Sequence, residues 1–236
     1  RSKVFDVGAG GGGFVYVLRS MGYEAAGLEP NEGYARFAAD VLQLPIRFGF
    51  YQECAVPRES QDMVTMFHVV EHLESPAEVV AVVREWLRPN GLLVIEVPNV
   101  EATCQHPHTD FHIGHLYHFN LATLQKLGET HGYTVVDNFT SSDGGNIAVV
   151  FRKTDRTVGG GVQMPANFER VNKILKHHTS VRHLFTKYPF IRPIQKVLTR
   201  LRERKWVQSY QSPKELLEAL VNSEVNKIPV TSAKPI

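Results

Sequence analysis

Val4-Phe5-Asp6-Val7-Gly8-Ala9-Gly10-Gly11-Gly12-Gly13-Phe14 stands almost at the start of the chain and decides its architecture. Lys3 to Val7 reads as a short strand, and Gly12 to Met21 as a helix with Phe14, Val15, Val17 and Leu18 on its apolar face. Between them, glycines allow a tight turn and bring backbone N–H groups to the positive end of the helix. Outward from this turn, Glu24 to Glu29 reads as a second strand. Asn31 then caps a helix with Tyr34, Phe37, Ala38, Val41 and Leu42 on one side. Ile46 to Phe50 and Met63 to Phe67 are strand-length apolar runs. Ser75 to Leu87 is a helix with Ser75 as cap, Pro76 at its first position, Glu78 closing a capping box and Asn90-Gly91 past its end. Leu92 to Val97 is a buried strand, Leu121 to His131 a helix capped by Asn120, and Val135 to Phe139 and Ile147 to Phe151 complete the set. This alternation predicts an α/β fold: a doubly wound, Rossmann-like, mostly parallel seven-stranded sheet with an antiparallel last strand and ligands at the carboxyl ends of its strands.

With 236 residues, 43% hydrophobic and 21% charged, the chain suits one domain, or a domain with an appendage, and not a disordered or fibrous polymer. No apolar run approaches the roughly 18 residues of a membrane span, and the amino end lacks the charged-then-apolar pattern of a secretion signal. Cys54 and Cys104 have no zinc-site spacing and are too few to staple a secreted scaffold, so a soluble cytoplasmic protein is expected. The chain begins at Arg1, not Met, and runs straight into the glycine turn, so a preceding segment is expected. The net charge of +2 hides an asymmetry: residues 1–155 sum to −8 and residues 156–236 to +10. A front domain over 1–155 and a basic helical appendage over 156–236 follow, with Gly159-Gly160-Gly161 and Pro165 as the joint.

Read as G-x-G-x-x-G through Gly8, Gly10 and Gly13, with Glu29 placed 21 residues after Gly8 to hold a ribose hydroxyl, the turn suits a dinucleotide and hence a nicotinamide-dependent oxidoreductase. A plain flexible turn is the simpler alternative. Asp6 bears on the choice: its carboxylate repels a pyrophosphate but accepts a hydrogen bond from the cationic amino-acid portion of a zwitterionic ligand.

Three further runs keep the glycine turn company: Gly27-Leu28-Glu29-Pro30, then Asp62-Met63-Val64-Thr65-Met66-Phe67-His68-Val69-Val70-Glu71-His72-Leu73, then Leu87-Arg88-Pro89-Asn90-Gly91-Leu92-Leu93-Val94-Ile95-Glu96-Val97-Pro98-Asn99. In this order the chain resembles, over about residues 3–153, the class I S-adenosylmethionine-dependent methyltransferases, in particular the small-molecule group of ubiquinone-biosynthesis and sugar methyltransferases. The resemblance implies S-adenosyl-L-methionine as cofactor and S-adenosyl-L-homocysteine as product. Asp6, Gly8 and Gly10 would line the methionine part, Glu29 would clamp both ribose hydroxyls through its two oxygens, and Phe67 and His68 would wall the sulfonium. Gln52 stands where the family often recognises adenine, although the Tyr51-Gln52 stretch departs from the usual acidic pattern.

Five of the 11 histidines fall between residues 106 and 118. The His106-x-His108 pair with Asp110 and His112 has metal-ligand types but no helix to fix them, so no metal is expected. Polar loop filler is one alternative. The other is substrate binding and proton transfer, because imidazole titrates near neutral pH and this stretch follows Pro98-Asn99 at the carboxyl edge of the sheet. The resemblance extends to His115-Leu116-Tyr117-His118-Phe119-Asn120, which gives His115 and His118 as catalytic bases and Asn99, Tyr117 and His112 as acceptor contacts. His72 reads equally as packing for the strand-to-helix turn. Asp143-Gly144-Gly145-Asn146 has hairpin-turn chemistry; it also looks like the corresponding turn of sugar C-methyltransferases, which favours a sugar, nucleotide-sugar or glycan acceptor.

Lys173 to Lys205 holds ten Lys and Arg against the single acid Glu203, with apolar residues at helical spacing broken at Pro189 and Pro193, so two helices with a kinked joint are expected. Their apolar side either packs on the front domain or leaves a basic surface for a phosphorylated acceptor or an acidic lipid headgroup. No nucleic-acid module is recognisable. The expected function is transfer of a sulfonium methyl group to a small-molecule acceptor. The oxidoreductase and a non-catalytic cofactor-binding platform are the alternatives.

Overall fold

The computed structural model describes residues 1–109, 111–154 and 164–224. The Gly159-Gly160-Gly161 joint and Asp110 lie outside the described residues. Seven strands, β1 (Lys3–Val7), β2 (Glu24–Glu29), β3 (Ile46–Phe48), β4 (Gln61–Phe67), β5 (Leu87–Pro98), β6 (Tyr133–Thr140) and β7 (Asn146–Lys153), form a sheet of order β3-β2-β1-β4-β5-β7-β6. β1 with β2, β2 with β3 and β4 with β5 are parallel, whereas β7 runs antiparallel to both β5 and β6. The helices are α1 (Gly13–Ser20), α2 (Glu32–Arg36), α3 (Pro76–Trp86), α4 (Leu121–Glu129), α5 (Pro165–His177), α6 (Ser180–Leu184), α7 (Tyr188–Val207) and α8 (Pro213–Glu224).

The chain divides into two compact units: Arg1–Cys54 together with the chain from Leu198, and Ala55–Val197. In the first, Val4, Phe5, Val7 and Leu28 are buried on β1 and β2. A Cβ on Gly27 would lie 2.8 Å from Ala9 Cβ and 3.0 Å from Asp6 O, so the close approach of these two strands depends on that glycine. Asn31 caps α2 by accepting from Tyr34 N at 3.1 Å. The helix does not run on as a regular α-helix, because Phe37–Val41 form a π-helical turn. That extra residue in the turn breaks the predicted single face: Ala38 and Leu42 are buried, while Tyr34, Phe37 and Val41 are exposed.

In the second unit, Ser75 Oγ accepts from Glu78 N and Pro76 occupies the first turn of α3, which is the Ser75 half of the expected capping box. The Asn90-Gly91 pair lies inside β5, which begins at Leu87; Asn90 there adopts φ +64°. Asn120 and Thr123 form a reciprocal capping box on α4. The expected turn at Asp143-Gly144 joins β6 to β7, with Gly144 at φ +78°. The basic stretch forms three helices, α5, α6 and α7, where two were expected. Pro189 falls in the first turn of α7, where an N–H has no helical partner anyway, and Pro193 is carried inside the helix.

Candidate functional site

In the first unit the carboxyl ends of β1 and β2 carry the glycine turn and Glu29. Gly8, Gly10 and Gly12 have φ of +78°, +53° and +84°, the left-handed conformations that explain their choice. The N–H groups of Gly8 and Ala9 both donate to Leu28 O, at 2.8 and 2.9 Å. Gly10 N donates to Glu29 Oε2 at 2.7 Å, and Asn31 N to Glu29 Oε1 at 2.8 Å. The turn therefore spends these N–H groups on its own chain and on a carboxylate, instead of presenting an empty cradle for a phosphate. Glu29 is buried, 6% exposed, and each oxygen keeps a lone pair. Asp6 is also buried. A Cβ on Gly10 would meet nothing within 4 Å, so the space above the turn is open. Gln52 is exposed in a turn after β3.

In the second unit the end of β4 places Phe67, half-buried, before His68. His68 adopts φ +56°, an uncommon conformation for a residue with a side chain. Its Nδ1 lies 3.2 Å from Glu71 Oε1 and its Nε2 3.3 Å from Glu96 Oε1. Asn146 Nδ2 is 3.3 Å from both His68 Nε2 and Glu96 Oε1. The hydrogen bond to Glu71 first, then the charges of Glu71 and Glu96, push the His68 pKa up against the opposing effect of burial. Glu71 is 1% exposed, and its Oε2 is buried without a hydrogen-bond partner among the described residues.

The histidine stretch is anchored to this same turn. Glu71 O accepts from Leu116 N at 2.8 Å and from Tyr117 N at 3.2 Å. His72 Nδ1 sits 2.8 Å from Gly114 O, so that nitrogen carries the proton and donates. The His72 ring meets His115 edge-on, with centroids 4.7 Å apart. His112 and His118 lie 5.1 and 6.1 Å from His115. Burial above all, with His72, His112 and His118 adding to it against the pull of Glu71, lowers the His115 pKa; burial alone lowers that of His118. Both therefore favour the neutral form that accepts a proton.

His106 and His108 do not join this cluster: they stack on each other at 5.2 Å, and His106 faces His183 at 5.5 Å. Glu71, His72 and His115 hold one donor atom each within 4.8 Å of one another, and they are the residues among those described that could hold a divalent cation. Two other expected contacts already have hydrogen-bond partners in the protein. Asn99 uses both ends of its side chain on backbone, donating to Gly144 O and accepting from Glu101 N. Tyr117 donates its hydroxyl to Glu74 O and lines, with Phe119, a cavity of about 360 Å³ against Pro76 and Leu127. Sequence reasoning missed Glu71, Glu96 and Asn146. The available signals were an acid at position 96 inside the apolar run Leu92–Val97 and the place of Asn146 in the Asp143–Asn146 turn.

A glycine turn held by an acid at the end of the second strand, on a parallel sheet, defines a doubly wound nucleotide-type fold. The profile of the Methyltransferase domain family matches residues 1–138, and the chain belongs to that family. It is 29% identical over 160 residues to a probable S-adenosylmethionine-dependent methyltransferase of Mycolicibacterium smegmatis, covering 67% of this chain and 61% of that protein. It is 30% identical over 154 residues to the C-methyltransferase NovU of Streptomyces niveus, covering 63% and 36%. A ubiquinone biosynthesis O-methyltransferase of Roseobacter denitrificans is 31% identical over 102 residues, covering 41% of each chain. The chain thus spans between 36% and 61% of the length of these relatives. The fold is shared with a SAM-dependent methyltransferase from Archaeoglobus fulgidus, at TM-score 0.56 and 18% identity, covering 64% of this chain and 86% of that one. A putative sarcosine dimethylglycine methyltransferase from Galdieria sulphuraria matches at TM-score 0.56 and 15% identity, covering 65% and 79%. The family and the relatives matched are methyltransferases, not nicotinamide-dependent oxidoreductases.

Proposed function

We propose that the protein transfers a methyl group from S-adenosylmethionine to a small-molecule acceptor, with a sugar, nucleotide-sugar or glycan as the acceptor class. The observation that carries this reading is Glu29: a buried carboxylate fixed by Gly10 N and Asn31 N, beside open space over Gly10, with free lone pairs for a ribose diol. Those residues fit the cofactor. Asp6, Gly8 and Gly10 would hold its amino-acid portion and Glu29 its ribose, with Gln52 as the adenine contact. When bound, the cofactor supplies an electrophilic sulfonium methyl group and leaves as S-adenosylhomocysteine.

The histidines of the second unit are the proposed acceptor residues. The neutral imidazole of His115, backed by His118, takes the proton that an acceptor hydroxyl must lose, with His112 beside it and Tyr117 as an aromatic wall of the acceptor pocket. The paired donors and acceptors of His68, Glu96 and Asn146 suit a polyhydroxylated ligand, and likeness to a C-methyltransferase and to O-methyltransferases supports carbon or oxygen over nitrogen as the acceptor atom.

The test begins with melting curves. S-adenosylhomocysteine should raise the melting temperature and NADH should not. Methyl transfer from labelled S-adenosylmethionine to a pool of nucleotide-sugars should then be seen in the parent and be strongly reduced in His115→Ala, with S-adenosylhomocysteine affinity kept. Cofactor binding with no methyl transfer to any acceptor pool would favour the non-catalytic platform, and full turnover in His115→Ala would remove that histidine from the chemistry.

A further inference from the structure

The α7 helix shows its apolar face to solvent. Phe190, Ile191, Ile194, Val197, Leu198 and Leu201 repeat at i, i+1, i+4, i+7, i+8 and i+11, which at 3.6 residues per turn makes one stripe over roughly a third of the circumference. All six are exposed, from 40% at Ile191 to 63% at Phe190. An ordinary surface helix buries such a stripe and shows its charges. Here the opposite side is tied down: Arg192, about half a turn from the stripe, pairs with Asp143 Oδ2 at 2.5 Å and reaches Cys104 Sγ at 3.2 Å. Arg202 and Arg204 border the stripe on its two sides, Arg200 stands behind Arg204, and Lys187 and Lys205 stand at its ends. The one acid in the helix is Glu203.

We propose that α7 docks on a membrane surface that carries anionic lipid, lying in the interface plane with its apolar stripe among the acyl chains and its bordering cations on the headgroups. Charge and shape select this occupant. A second copy of the chain would set two arrays of cations against each other along the stripe, with Glu203 as the only compensating acid. Nucleic acid would satisfy the cations and leave the aliphatic stripe in water. An anionic bilayer satisfies both, since affinity for it grows with buried apolar area and with attraction of Lys and Arg to acidic headgroups. Among the described residues no helix is long and apolar enough to cross a membrane, which fits a helix that lies on the surface. The inference uses no residue of the methyl-transfer site.

The experiment is co-sedimentation of the full chain with vesicles of phosphatidylcholine alone and of phosphatidylcholine with one third phosphatidylglycerol. Binding is expected to the second kind only, and to fall steeply as salt shortens the screening length. The double variant Ile194→Asp/Leu198→Asp should bind at least about tenfold more weakly. Its melting temperature and S-adenosylhomocysteine affinity should stay unchanged, because both side chains are exposed. Arg200→Gln/Arg204→Gln should lose the preference for anionic lipid, and Arg200→Lys/Arg204→Lys should retain it. Several results would overturn the proposal: no sedimentation of folded protein with anionic vesicles, equal sedimentation with neutral ones, or undiminished binding by the Ile194→Asp/Leu198→Asp variant. A dimer seen by light scattering that this variant dissociates would assign the stripe to a second copy. Tight RNA binding without vesicle binding would assign the cations to nucleic acid.

Discussion

Replacing Glu29 by Gln changes one atom and separates its two duties. In the native turn one oxygen accepts from Gly10 N at 2.7 Å and the other from Asn31 N at 2.8 Å. Glutamine can offer its carbonyl oxygen to one of these N–H groups and must point its NH2 at the other. The loss is one charged hydrogen bond plus a donor facing a donor, about 1.5–3 kcal/mol where the groups stay dry. Asn31 is exposed, so water can replace the missing acceptor on that side and the cost falls to the lower end. At about 2–4 °C per kcal/mol for a chain of this size, the melting temperature should drop by roughly 3–6 °C. The binding penalty is separate, because a ribose diol needs both oxygens as acceptors and the amide has one. S-adenosylhomocysteine affinity, by isothermal titration at a temperature well below the melt, should fall about 10–100-fold, which is about 1.4–2.7 kcal/mol. Glu29→Asp keeps the charge but shortens the reach, and should bind between the two. If folded Glu29→Gln binds S-adenosylhomocysteine as tightly as the parent, Glu29 is only a brace for the turn and the proposed cofactor grip fails.

Gly10 and Gly12 should respond differently to a methyl group. Gly12→Ala, at φ +84° with Leu44 and Ile46 methyls 2.6 and 2.7 Å from the new Cβ, should lower the melting temperature sharply in thermal denaturation. Gly10→Ala, at φ +53° with open space around it, should cost about 1 kcal/mol of stability yet weaken S-adenosylhomocysteine binding far more; equal losses in both would mean the open space is not the ligand's. The histidines should titrate in opposite directions by NMR. His68, raised by Glu71 and Glu96, should show a midpoint above the ordinary 6.5, so the stability it contributes is complete below pH 6.5 and is lost as pH rises through that higher value. His115 and His118, lowered by burial, should titrate below 6.5, with their contribution complete above pH 6.5 and lost as pH falls. Glu71→Gln should bring the His68 midpoint down, and a His115 midpoint above 6.5 would contradict its proposed role as a proton acceptor.

The sheet was readable from the sequence because its signals are local. Asp6-Val7-Gly8 ends a strand, Ser75-Pro76 starts a helix and Asp143-Gly144 closes a hairpin whatever the rest of the chain does. The π-helical turn at Phe37–Val41 was not, since an inserted residue keeps the same apolar composition and shifts only which side chains face inward. Nor was the outward face of α7. An apolar stripe at helical spacing is the ordinary sign of a buried side, and nothing local in the sequence marks that the other side of this helix carries a tertiary pair, Arg192 with Asp143, 49 residues apart.

The site divides along the same line. Glu29 could be named from its place at the end of β2, and its carboxylate does meet the glycine turn. Asn99 and Tyr117 were placed by position in the chain, and both spend their polar atoms on nearby backbone, which no spacing announces. Glu71 shows why. In the sequence it is the acid beside His72. In the fold its carbonyl holds Leu116 and Tyr117, one carboxylate oxygen holds His68, and the other is buried with no hydrogen-bond partner among the described residues. A buried carboxylate left half unmatched is costly, and a cost of this kind is tolerated where the group orders other groups. Here those groups are His68 at the end of β4 and the loop that carries His115. The Glu71→Gln variant therefore tests more than one midpoint: if the amide matches the buried surroundings better, the protein should melt at an equal or higher temperature while turnover falls, the signature of a residue kept for position and not for stability.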